Sequence, residues 1–181
     1  MKKEITLYHG TDELFDEFSN EFLGTEKSID QYGSGFYFYS MASKTVLHGG
    51  LRVTANVTIN KAISHNSTKK LTRDQIETLL LTSPSFDDRI LNFGDTEFEG
   101  MDKVLKIAVK TYSTLSILEC LNCIGNDFFE TGDAHLLLSK FVKLTGIDCI
   151  TDLSRDIYVI LTKNQINIIS CNNADDEDSE D

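Results

Sequence analysis

The chain has 181 residues, 40% of them hydrophobic and 25% charged, which is the make-up of a soluble globular protein able to bury a core and not of a disordered or fibrous one. Its 29 acidic and 17 basic side chains give a formal charge of −12, a sign that repels phosphate backbones and argues against nucleic-acid binding. No apolar run is long enough to span a bilayer, and Lys2-Lys3 is followed by the mixed segment Glu4 to Tyr8 where a signal peptide would have an apolar core, so the expected location is the cytoplasm.

Period and punctuation then divide the chain in order. Ile5 to His9 reads as a short strand broken by Gly10-Thr11, and Phe15, Phe18 and Phe22 recur at helical or turn spacing before a polar loop from Gly24 to Tyr32. Gly35 to Tyr39 is a strongly aromatic strand, followed by a helix from Met41 to His48 with Ser40 as its N-cap and Gly49-Gly50 as its stop. Leu51 to Asn60 alternates apolar and polar residues, which marks a strand with one wet face.

The middle of the chain changes period. Thr72 to Gln75 forms a capping box opening a helix from Ile76 to Leu81, which the only proline, Pro84, closes. Residues 101–111, 114–124 and 133–145 also read as helices, with Ser116 and Glu119 as a capping box within the second, Asp133 as N-cap of the third and Gly146 at its end. Short β-branched strands return at Ile147 to Thr151, Ile157 to Leu161 and Ile166 to Ser170. Strands at both ends around helices predict an α+β protein. The expected organisation is a single domain over 1–171, with a helical insertion over about 64–132, and an acidic disordered tail over 172–181 whose last seven residues hold six acids.

Cys120, Cys123, Cys149 and Cys171 do not make a disulfide framework in a chain of this length without an export signal. The Cys120/Cys123 pair sits in a helical pattern with no second ligand pair, so buried thiols are expected and a metal is not.

Three segments carry chemistry: Leu7-Tyr8-His9-Gly10-Thr11, Gly33-Ser34-Gly35-Phe36-Tyr37-Phe38-Tyr39 with the helix through Thr45 and His48, and Ile157-Tyr158-Val159-Ile160-Leu161 with Gln165-Ile166. Singly, each has an ordinary reading as a turn, a bend or a core strand. Their order resembles the ADP-ribosyltransferase superfamily, in particular its diphtheria-toxin-like branch, which includes the poly(ADP-ribose) polymerases and the ADP-ribosyltransferase domains of phage polyvalent proteins. Leu144-Thr145-Gly146-Ile147-Asp148-Cys149-Ile150 is similar to the helix-to-strand turn of those phage domains, and the resemblance covers residues 5–60 and 133–170.

The resemblance implies a split β-sheet core and a site for NAD. In such enzymes the motif histidine bonds the adenosine ribose and the following glycine offers its backbone to the nicotinamide amide, parts that fall here to His9 and Gly10, with Thr11 beside them at the cofactor. Tyr37 supplies a wall, Thr45 the small hydroxyl and His48 the ring stacked on nicotinamide. The family's catalytic Glu, eight residues before the Gln, falls on Ile157, so Asp156 is the neighbouring carboxylate that would stand in, on condition that the chain is bulged or not yet extended there. Without that Glu to activate a ribose hydroxyl, transfer is expected to stop at one unit. The implied activity is therefore an NAD-dependent mono-ADP-ribosyltransferase with catalytic residues His9, Tyr37 and Asp156, modifying a protein target in the manner of a phage or bacterial effector. The alternative is a catalytically inactive member that acts by binding a partner protein, and an NAD glycohydrolase is a third reading.

Overall fold

The computed structural model describes residues 2–23, 32–93, 100–130 and 132–174. The tail over 175–181 and most of the polar loop expected from Gly24 lie outside them. The architecture is α+β: strands from the two ends of the chain form sheets, and the segment between them supplies the α-helices. The chain divides into two compact units, a sheet unit of Met1–Ser19, Gly35–Ser64 and Gly146–Asp181 and a helical unit of Asn20–Ser34 and His65–Thr145.

The sheet unit holds two sheets. In the first, β1 (Lys3–Thr11), β3 (Leu51–Ile59) and β7 (Ile166–Asn173) lie in the order β1-β3-β7, all antiparallel. The alternation read in β3 is realised: Val53, Ala55 and Val57 are fully buried, and Leu7 of β1, opposite Ala55, is buried with them. Gly10 and Thr11 do not break β1; they continue its ladder opposite Arg52 and Leu51. Pairing likewise carries β7 past Ser170 to Asn173, because Asn172 and Asn173 lie opposite Arg52 and Leu51. The second sheet has the order β2-β6-β5-β4, from β2 (Phe36–Phe38), β6 (Ile157–Ile160), β5 (Cys149–Asp152) and β4 (Ala62–Ser64). Only its β4–β5 pair is parallel, and β4 is too short to leave a period in the sequence.

Asp148, which is 2% exposed, ties this sheet to the end of β3. Its carboxylate accepts from the Asn60 amide N–H (3.0 Å), the Asn60 side-chain amide (2.7 Å) and the Lys61 N–H (3.0 Å).

The helical unit contains α1 (Arg73–Leu80), α2 (Phe86–Phe93), α3 (Met101–Tyr112), α4 (Ile117–Phe128) and α5 (Ala134–Thr145). Both expected capping boxes form: the Thr72 hydroxyl accepts from Gln75 N–H while Gln75 returns to Thr72 N–H, and Ser116 with Glu119 does the same. Ser116 is thus the residue before α4, which starts later than the expected 114 and ends at Phe128. Gly146 follows α5 in the left-handed region at φ +69°, where a glycine stops a helix without strain. α2 was not apparent from the sequence: Pro84 lies in the turn after α1, yet the Ser83 hydroxyl accepts from Ser85 N–H and a second helix begins at Phe86. Amphipathic faces supply the core, with Ile76, Ile90, Val104, Ile124, Phe128 and Phe141 fully buried. The described cysteines are free thiols; burial pushes Cys120 up to about 12, so it is protonated at neutral pH. Among the described residues no helix is long and apolar enough to cross a membrane.

Candidate functional site: the split between two sheets

The two sheets meet at one backbone bridge. Tyr8 N–H donates to the Tyr39 carbonyl and Tyr39 N–H to the Tyr8 carbonyl, both at 2.8 Å. These groups of Tyr8 therefore point away from β3. Because hydrogen-bonding directions alternate along an antiparallel strand, the N–H and C=O of Gly10, two residues on, point off that same edge. The same alternation in β2 aims the backbone groups of Tyr37 towards β1. A continued ladder would pair Gly10 with Tyr37. Instead the Tyr37 carbonyl accepts a hydrogen bond from His9 Nδ1–H at 2.8 Å, and the strands part after one rung.

His9 shares the core face of β1 with Leu7, opposite Val53. Its ring sits among Phe38, Phe18 and Phe15, with centroids at 5.7, 5.1 and 6.2 Å. Burial pushes the imidazole below its ordinary value, the Tyr37 bond pulls the other way, and the nearby His48 adds to the lowering. At neutral pH the ring is thus uncharged, with its proton on Nδ1 and an acceptor lone pair on Nε2. Phe15 and Phe18, read as turn residues packing on the core, are in effect the wall of this imidazole.

The other face of the split carries the second group of residues. Tyr37 and Tyr39 alternate with the buried Phe36 and Phe38, and the chain after Ser40 forms a 3-10 helix over Ala42–His48. The helix expected from Met41 is thus a 3-10 helix, and its cap differs: Met41 is the cap residue and makes no side-chain cap bond. Gly10 allows this segment to approach, since a Cβ there would overlap the Thr45 carbonyl oxygen and come within 2.9 Å of His48 Cβ. The space left by the missing side chain is therefore filled by protein, and what Gly10 leaves unpaired in the sheet is its edge-directed backbone groups.

Thr45, the expected hydroxyl contact, is fully buried. Its hydroxyl donates to the Ala42 carbonyl at 2.7 Å and accepts from Arg52 Nε–H at 3.2 Å, while another Arg52 nitrogen donates to the Ala174 carbonyl. His48, the expected stacking ring, lies against Tyr39, with ring centroids 5.2 Å apart and planes 14° from parallel, and its Nε2 shares a 2.7 Å hydrogen bond with the Tyr39 hydroxyl. Thr11 turns inward on its own loop, where its hydroxyl accepts from Glu13 N–H at 3.1 Å.

Asp156 is not in a strand. It ends the turn before β6 with φ +59°, so the alternation that would have turned it to the face opposite Ile157 does not apply. Its carboxylate accepts from Ser40 N–H (3.1 Å), Ser40 hydroxyl (2.5 Å) and Met41 N–H (3.0 Å). Ser40, expected to cap a helix, thus anchors this turn. Lys44 reinforces the same junction by donating to the Arg155 carbonyl at 2.6 Å.

The three motif strands are therefore neighbours in the order β6, β2, β1, with His9, Gly10, Tyr37 and His48 gathered where the last two separate. Sequence reasoning did not single out Tyr39, which makes the bridge with its backbone and holds His48 with its hydroxyl. Its only sequence signal is position: it falls two residues after Tyr37 on an alternating aromatic strand. Among the described residues no group of three or more His, Cys, Asp or Glu side chains is arranged to hold a metal ion. In comparisons with known proteins, no family model, no curated protein and no solved structure matches the chain.

Proposed function

We propose that the chain is an ADP-ribosyltransferase that binds NAD at the split and transfers one ADP-ribose unit to a protein target. The observation that carries this reading is the parting of β1 and β2 directly beyond the Tyr8–Tyr39 bridge, which leaves the backbone N–H and C=O of the buried Gly10 directed off the edge of β1 with no strand partner there among the described residues. A primary carboxamide such as that of nicotinamide matches this pair, since its carbonyl accepts from one group and its NH2 donates to the other. The neutral His9 has Nε2 available as an acceptor for a ribose hydroxyl, and Tyr37 and the Phe wall flank it.

Breaking the bond to a pyridinium nitrogen returns a neutral nicotinamide, and the positive charge passes to the ribose. Holding NAD in place with an acceptor aligned supplies much of the acceleration such a step needs. Ile157 brings no charge to the developing cation, and the Asp156 carboxylate is engaged by Ser40 and Met41. A second ribose hydroxyl then has no carboxylate to activate it, which is why transfer stops at one unit.

That same engagement of Asp156 favours a second reading, a non-catalytic module that acts by binding a partner protein. Purified protein incubated with labelled NAD and a cell lysate separates the two. Label moves to a lysate protein with the wild type and not with His9→Ala, with circular dichroism confirming that the variant is folded. NAD binding by calorimetry without transfer supports the second reading, and absence of NAD binding removes the first.

A further inference from the structure

One ionisable ring at the split is held as a catalyst would be and has no part in the reading above. His48 is exposed, ends the 3-10 helix, and has its Cβ packed against the Gly10 backbone. One ring nitrogen, Nε2, is fixed at 2.7 Å by the Tyr39 hydroxyl, and Tyr39 is itself fixed by both hydrogen bonds of the bridge. Among the described residues no hydrogen bond reaches the other nitrogen, Nδ1, which is two bonds from the Cβ that touches Gly10.

Three carboxylates of the sheet unit are engaged and one of its thiols is protonated. Asp156 accepts from Ser40 and Met41, Asp152 from Ser154 and Arg155, and Asp148 from Asn60 and Lys61. Burial pushes the Cys149 thiol up to about 12. His9 has its Nδ1 proton committed to the Tyr37 carbonyl and lies on the opposite face of β1.

We propose that His48 is the general base of the transfer reaction, with Tyr39 as its positioning residue. The inference rests on the reading of the split as an NAD site. In the tautomer whose Nε2–H is donated to the Tyr39 oxygen, the basic lone pair is on Nδ1. The acceptor group attacks the anomeric carbon of the nicotinamide ribose as the bond from that carbon to the pyridinium nitrogen breaks. The electron pair of that bond goes to nicotinamide, which leaves neutral, and the acceptor's proton goes to Nδ1 and then to water. His48 performs the proton transfer in place of the engaged Asp156, while the oxocarbenium charge is left to positioning.

The test measures nicotinamide release from NAD in the presence of the cell lysate, together with NAD affinity by calorimetry, for wild type, His48→Ala and Tyr39→Phe. His48→Ala is expected to lower kcat roughly 10²-fold or more while NAD affinity stays near wild type. Added imidazole restores part of the lost rate, which it would not do for a residue that only supports the fold. Tyr39→Phe lowers kcat by a smaller factor and is insensitive to imidazole. An unchanged kcat in His48→Ala overturns the proposal, as does a loss confined to NAD affinity or one that imidazole does not rescue. A wild type that binds no NAD overturns the parent reading and this one together, whereas turnover by wild type and His48→Ala alike removes His48 alone.

Discussion

The sheet unit and the helical unit bury their interiors with different chemistry. Among the described residues the sheet unit buries Thr45, Arg52, Asp148 and Asp152, whereas the helical unit buries one polar side chain, Ser83. The difference follows from how far apart in sequence the paired elements lie. β3 must find β1 on one side and β7, near the far end of the chain, on the other, and Asp148 reaches back to Asn60 and Lys61, so directional polar contacts fix which residues meet. Helices satisfy their backbones locally, and capping boxes and apolar stripes set most of the helical unit's packing. The lesson is that polar burial marks the unit where register matters, which is also the unit holding the split.

Three experiments break or sharpen this contrast, in falling order of effect. Phe128→Ala removes a fully buried ring that contacts Phe86 and Tyr112 and is expected to cost about 4 kcal/mol. Urea unfolding followed by helical circular dichroism measures it, and a loss below about 1 kcal/mol would mean that apolar packing does not dominate the helical unit. Asp148→Ala strips the acceptor from the Asn60 and Lys61 donors and is expected to cost about 3 kcal/mol. Amide exchange should then accelerate at Asn60 and Lys61 before any α-helix is affected; uniform acceleration would deny the local anchor. The smallest effect is acid sensitivity. The His9 pKa is lowered from 6.5 in the folded chain, so below that value the unfolded chain binds a proton that the folded one resists. The His9 contribution to stability is complete above 6.5 and declines as pH falls from there towards the folded-state value, and His9→Asn should flatten that slope in urea titrations at successive pH values.

Elements whose cause is local were legible in the sequence. The capping residues Thr72 and Ser116, the period of two in Leu51 to Ile59 and the glycine after α5 each act within a few residues, and each appears where its pattern placed it. What escaped depends on partners far along the chain. Gly10 and Thr11 look like a strand breaker until Leu51 and Arg52 are set opposite them. Ser40 has the chemistry of a helix cap, and only the turn at Asp156 redirects it. The seven residues from Ala42 have helical spacing but wind as a 3-10 helix pressed against Gly10. Of the site, His9, Gly10, Tyr37 and His48 are gathered at one locus, while the engagement of Thr45 by Arg52 and of His48 by Tyr39 has no trace in either local pattern.

The hydrogen bond from His9 to the Tyr37 carbonyl has a consequence for the shape of the seam. A carbonyl left bare at that position would be free to take the Gly10 amide and carry the pairing one rung further. The imidazole acts as a wedge by giving that oxygen a partner in advance, so the unjoined stretch persists as a stable end to pairing. A histidine here does architectural work, and its loss should let the two strands pair one residue further.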